Sequence, residues 1–167
     1  MSQEFQRLEQ NKAGERPQGL WTTLVIDLGD QPDQTYDRII EVSRLLARYG
    51  TYWGSKTDRQ WPSDQAWKQM LPQWFLATFK DYSKEDCERM MAETPRERWG
   101  DLPWLFESWT ESMSNRTWEW WSSKQKDRTL EVQLLLEGWP YSVGALEYLI
   151  KSAGARSIEL DENPKSQ

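Results

Sequence analysis

Ten of the twelve tryptophans lie between Trp53 and Trp121, in a stretch that Pro62, Pro72, Pro95 and Pro103 cut into short pieces. That concentration constrains the fold most. Indole rings bring large apolar area to a segment that prolines forbid from forming one long helix or a continuous central strand. The segment must therefore fold as several short helices and strands packed on something more regular.

The regular part lies on either side. Trp21 to Leu28 is rich in β-branched and apolar residues and ends at Gly29-Asp30-Gln31-Pro32-Asp33, which reads as a strand and a turn. Tyr36, Ile39, Val42, Leu46 and Tyr49 then recur at helical spacing, with Asp33 or Thr35 as N-cap and Gly50 as the stop. A matching unit closes the chain. Leu130 to Leu136 alternates as a strand, Gly138-Trp139-Pro140 turns, Ser142 caps a helix carrying Val143, Leu146, Leu149, Ile150 and Ala153, and Arg156 to Leu160 forms a last strand. Two strand-helix units imply an α+β fold, an antiparallel sheet with helices on one face and a ferredoxin-like tendency, carrying a tryptophan-rich, largely helical insertion.

Domain bounds follow. Residues 1–19 lack apolar periodicity and read as a flexible arm, 20–160 as one domain with the insertion at about 53–121, and 161–167 as a flexible tail. Within the insertion, Ser63 can cap a helix carrying Trp67 and Met70. Ser83 to Asp86 resembles a capping box opening a packed helix with Cys87, Met90 and Met91. Asp101 and Pro103 can start another with Leu105, Phe106, Trp109 and Met113, and Thr117 to Trp121 reads as a strand in a hairpin with Leu130 to Leu136.

Chemistry is narrowed by what is missing. The sequence has no histidine, which removes the commonest general base and metal ligand, and Cys87 is its only cysteine. It contains no metal-binding loop and no glycine-rich phosphate cradle, so neither a cofactor nor a metal is expected. Glu107 and Glu119 could serve as paired carboxylates of a small enzyme, but no motif supports that use. A net charge of -6 disfavours nucleic acid as a partner. No apolar run is long enough to span a membrane, and nothing at the N-terminus has the pattern of a signal peptide, so a cytoplasmic protein is expected.

Binding is left as the favoured activity. Trp99, Asp101, Trp104, Glu107, Glu111, Trp118 and Trp120 combine aromatic anchors with carboxylates, a mixture suited to a basic protein surface. The same residues can be read more plainly, the rings as core and the acids as a solvated face. Because Trp118 and Trp120 alternate with Glu119 and Trp121, both faces of that strand need cover, from the inserted helices or from a partner.

In Gly19-Leu20-Trp21, in Tyr52-Trp53-Gly54 and in the region from Trp99 to Trp121, this small acidic chain resembles the immunity proteins that accompany bacterial polymorphic and contact-dependent toxins. The resemblance implies one-to-one binding to a cognate toxin domain, often a nuclease, and carries no residue-by-residue role. A phage or mobile-element protein, or another non-catalytic interaction domain, is the alternative.

Overall fold

A computed structural model describes residues 3–10, 18–49, 61–138 and 140–161, and the backbone of 165–166. In chain order the elements are α1 (Gln3–Gln10), β1 (Leu20–Asp27), α2 (Pro32–Tyr49), α3 (Asp64–Met70), α4 (Gln73–Leu76), α5 (Lys84–Glu93), a 3-10 helix (Arg96–Asp101), α6 (Phe106–Ser114), β2 (Trp118–Lys126), β3 (Thr129–Leu136), α7 (Gly144–Ala153), β4 (Ser157–Leu160) and a two-residue β5 (Lys165–Ser166).

The strands lie side by side as β2-β3-β1-β4, antiparallel throughout. With α2 between β1 and β2 and α7 between β3 and β4, this is the ferredoxin-like βαββαβ arrangement, entered by an insertion after α2. The connections at one end are forced by backbone geometry. Gly29 has φ 81° and donates its N–H to the Asp27 carboxylate, and Pro32 then opens α2, where a missing N–H costs nothing. Gly154 ends α7 at φ 124°, and a Cβ on Gly29 would meet its carbonyl oxygen at 2.7 Å, so both turns can abut only as glycines.

Alternation along the strands divides the sheet's two faces. Leu24 and Ile26 of β1, Leu130, Val132, Leu134 and Leu136 of β3, and Trp118 and Trp120 of β2 share a core with Ile39, Val42 and Leu46 of α2 and Leu146, Leu149 and Ile150 of α7. Pairing of β2 with β3 skips from Trp120–Leu134 to Ser122–Gln133, which leaves Trp121 as a bulged residue. It packs edge-on against Trp21, with ring centroids 5.5 Å apart, in a separate small cluster with Leu135.

The insertion adds a further layer on the helices. Trp67, Phe75, Trp109 and Met113 are fully buried, the Phe75 and Trp109 rings stand 4.8 Å apart, and Trp109 donates its indole N–H to the Ala145 carbonyl of α7 at 3.0 Å. Ser63 caps α3 by accepting from the Ala66 N–H, and Ser83 with Asp86 forms a complete capping box on α5. Both caps are as the sequence predicts.

Several expectations need correction. Residues 3–10 are not an arm without a docking face: α1 buries Glu4 and Leu8 and packs on α2 and β2. It docks through charge, which a search for apolar periodicity does not register. Glu4 accepts from Arg116 at 2.9 Å and from the Trp120 N–H at 3.0 Å, while Arg7 donates to Glu119 and to the Trp120 carbonyl. In the tail, Lys165 and Ser166 pair with Trp21 and Leu20 of β1. α7 begins at Gly144 with Val143 at its N-cap and no side-chain cap, so Ser142 does not serve. α6 begins at Phe106, since Asp101 pairs with Arg98 inside the 3-10 helix. α5 buries none of its residues, and Cys87 is only partly covered. Gly50, Tyr52-Trp53-Gly54 and Trp139 lie outside the described residues.

Candidate functional site: an open aromatic groove

α5 and the 3-10 helix arise from local signals, the Ser83 capping box and Pro95, yet neither contributes a buried side chain to the domain. Between them and α7 runs a groove of about 850 Å³ lined by Cys87, Met90 and Met91 on one wall, Trp99 to Leu105 along the floor, and Gly144, Glu147, Tyr148 and Lys151 on the other. The α7 residues fall at successive helical turns, which puts them on one face of that helix.

The groove is held open by particular contacts. Trp99 donates its indole N–H to the carbonyls of Met91 and Thr94, at 3.3 and 3.0 Å, and ties the 3-10 helix to the end of α5. The Leu102 N–H closes the 3-10 helix on the Trp99 carbonyl. Trp104 lies against α7 where that helix has no side chain: a Cβ on Gly144 would stand 3.4 Å from Cζ2 of the ring, and Tyr148 is 6.5 Å away between centroids. With Trp99 fixed by its own N–H, its outer face stays 38% exposed, and Met91 beside it is 43% exposed.

Charge within the groove is sparse. Glu147 is half-buried, and the burial raises its carboxyl above the ordinary value, an effect that Lys151 one turn on partly offsets. Asp101 is exposed at the rim and pairs with Arg98 at 3.5 Å. This composition can bind; among the described residues no group of three or more acids or cysteines is placed to hold a metal ion.

Three of the seven residues predicted from sequence, Trp99, Asp101 and Trp104, meet here. Glu107 and Glu111 are exposed on α6, and Glu107 lines a different groove with Lys68, Phe79 and Lys80. Trp118 and Trp120 are removed from any free surface, because their side of β2 faces the same core as Leu134 and Leu136. The hairpin alternation could have shown this, since their partners across β3 are those leucines. Met91, Glu147 and Tyr148 were missed, and for Glu147 and Tyr148 the available signal was their helical spacing from Gly144, on the side of α7 that also carries Lys151.

The paired carboxylates of an enzyme reading do not share a site. Glu119 is buried on β2 against Arg7, and desolvation raises its carboxyl, whereas Glu107 is exposed and lines a separate groove with Lys68 and Lys80. No helix of the described residues is long and apolar enough to cross a membrane. The chain matches no protein-family model, no curated protein and no solved structure.

Proposed function

We propose that the chain is a protein-binding inhibitor, an immunity protein that acts in the cytosol and neutralises a cognate bacterial toxin domain by one-to-one binding through the groove of α5, the 3-10 helix and α7. The observation that carries this reading is the state of α5. A ten-residue helix with a complete capping box is held on the domain with none of its side chains buried, and Met91 on it and Trp99 beside it are left exposed. Large exposed apolar side chains around a groove, rimmed by polar groups, are what a protein interface presents before its partner arrives. A net charge of -6 favours a basic partner and speeds its approach.

Co-expression with a candidate cognate toxin domain tests the reading. Growth should be protected, and the two proteins should elute as a one-to-one complex. Met91→Asp should abolish protection while its melting temperature stays that of the parent. Growth arrest undiminished by the folded parent chain overturns the proposal.

A further inference from the structure

We infer that the groove receives an arginine side chain of the partner, with its guanidinium laid on the Trp104 indole and paired with the Glu147 carboxylate. The inference rests on the reading of this groove as the docking surface and adds the side chain it selects.

The chain uses the same arrangement twice within itself. Arg7 stands 3.9 Å over the Trp121 ring and pairs with Glu119, and Arg116 stands 5.4 Å over the Trp118 ring and pairs with Glu4 at 2.9 Å. In each case an indole face and a carboxylate hold one guanidinium, a planar cation that stacks and donates in the same plane. Trp104 and Glu147 bring the same two groups to the groove. The indole rests on the first turn of α7 at Gly144, and Glu147 rises from the next turn beside Tyr148.

In the groove this pair is not used by the chain's own described cations. Among the described residues no cation stacks on Trp104, and the Glu147 carboxylate makes no hydrogen bond or ion pair; Lys151 one turn on is exposed and acts on it only as a nearby charge. Trp99 differs, because Arg96 already lies 5.7 Å from its ring. A half-buried carboxylate without a donor is held at a cost that an incoming cation removes, and planar donors fit it better than an ammonium does.

Titration of the full chain with a short peptide bearing one central arginine, followed by the indole N–H resonances, tests the assignment. The control peptide carries citrulline, which keeps the shape without the charge. The Trp104 indole should shift saturably with the arginine peptide. Citrulline should bind about tenfold more weakly, as expected for loss of one charge-assisted contact. Glu147→Gln should bring the arginine peptide down to the citrulline level, with the Trp109 indole, buried and bonded to the Ala145 carbonyl, reporting that the variant is folded. Equal binding of the two peptides, arginine binding retained in Glu147→Gln, or no shift at Trp104 with either peptide overturns the inference. If toxin protection still responds to Met91→Asp, any of these results removes the arginine pocket and leaves the docking surface; if protection is indifferent too, both readings fall.

Discussion

Two short polar helices of this molecule, α1 and α5, meet opposite fates. α1 has eight residues and only Phe5 and Leu8 as large apolar side chains, yet Glu4 and Leu8 are buried and the helix closes the edge of the sheet. α5 has ten residues with Cys87, Met90 and Met91, and none is buried. Apolar content therefore does not decide which helix belongs to the core. What decides is whether the surface beneath offers groups that the helix can satisfy. β2 is an edge strand, and the Trp120 N–H and C=O are both taken by α1, through Glu4 and Arg7. An open edge invites pairing with other chains, and a helix laid along it removes that hazard. Beneath α5 there is instead a groove that gives its side chains no buried partner.

The largest expected effect would break this contrast on the α1 side. Arg116→Met leaves Glu4 buried without its partner, with both side chains under 5% exposed in the parent, and should cost about 3–5 kcal/mol in urea unfolding. Glu4→Met combined with Arg116→Met should lose less than Arg116→Met alone, because no charge is then stranded. A loss below about 0.5 kcal/mol for the single variant would place α1 among ordinary surface features. Next in size, Leu8→Ala should cost about 2 kcal/mol or more, since Leu8 belongs to the main core.

A smaller effect of opposite sign is expected in the groove. Burial raises the Glu147 carboxyl above its ordinary value. A raised folded-state value means that the fold prefers the protonated group: its contribution is full below the unfolded value and is lost as pH rises through the folded one. Glu147→Gln keeps a neutral group at every pH. The variant should match the parent in mild acid and become more stable as pH rises through that window, by a gain that solvent screening of this half-exposed group keeps small. Glu119, also raised by burial, is common to both proteins and cancels in the difference. A variant less stable than the parent at neutral pH would show that Glu147 has a structural partner. The smallest effect belongs to α5, where Met91→Ser should lie within about 0.5 kcal/mol of the parent.

Much of the fold was legible in the sequence because it rests on local periodicity. The alternation of Leu130 to Leu136, the helical spacing of Ile39, Val42 and Leu46, and the caps at Ser63 and Ser83 are all properties of neighbouring residues. α1 was not legible, since its contacts join Glu4 to Arg116 and Arg7 to Glu119 across more than a hundred residues. The candidate site was half legible. Trp99, Asp101 and Trp104 stood out as aromatic and acidic neighbours, but their opposite wall on α7 comes from a distant part of the chain. Trp118 and Trp120 have the same residue types as an interface and are core, because their register across β3 points them at Leu136 and Leu134.

One pair of readings on Met91→Asp tests the central claim most directly: its melting temperature, and its affinity for the toxin domain measured by calorimetry. An aspartate at a side chain that is 43% exposed in the free chain and outside the core should leave the melt within a degree or two of the parent, as expected of a surface change. Affinity should fall by about 2 kcal/mol or more, the loss expected when a charge is driven into the centre of an interface. An unchanged affinity in the folded variant would contradict the assignment of this groove as the docking surface.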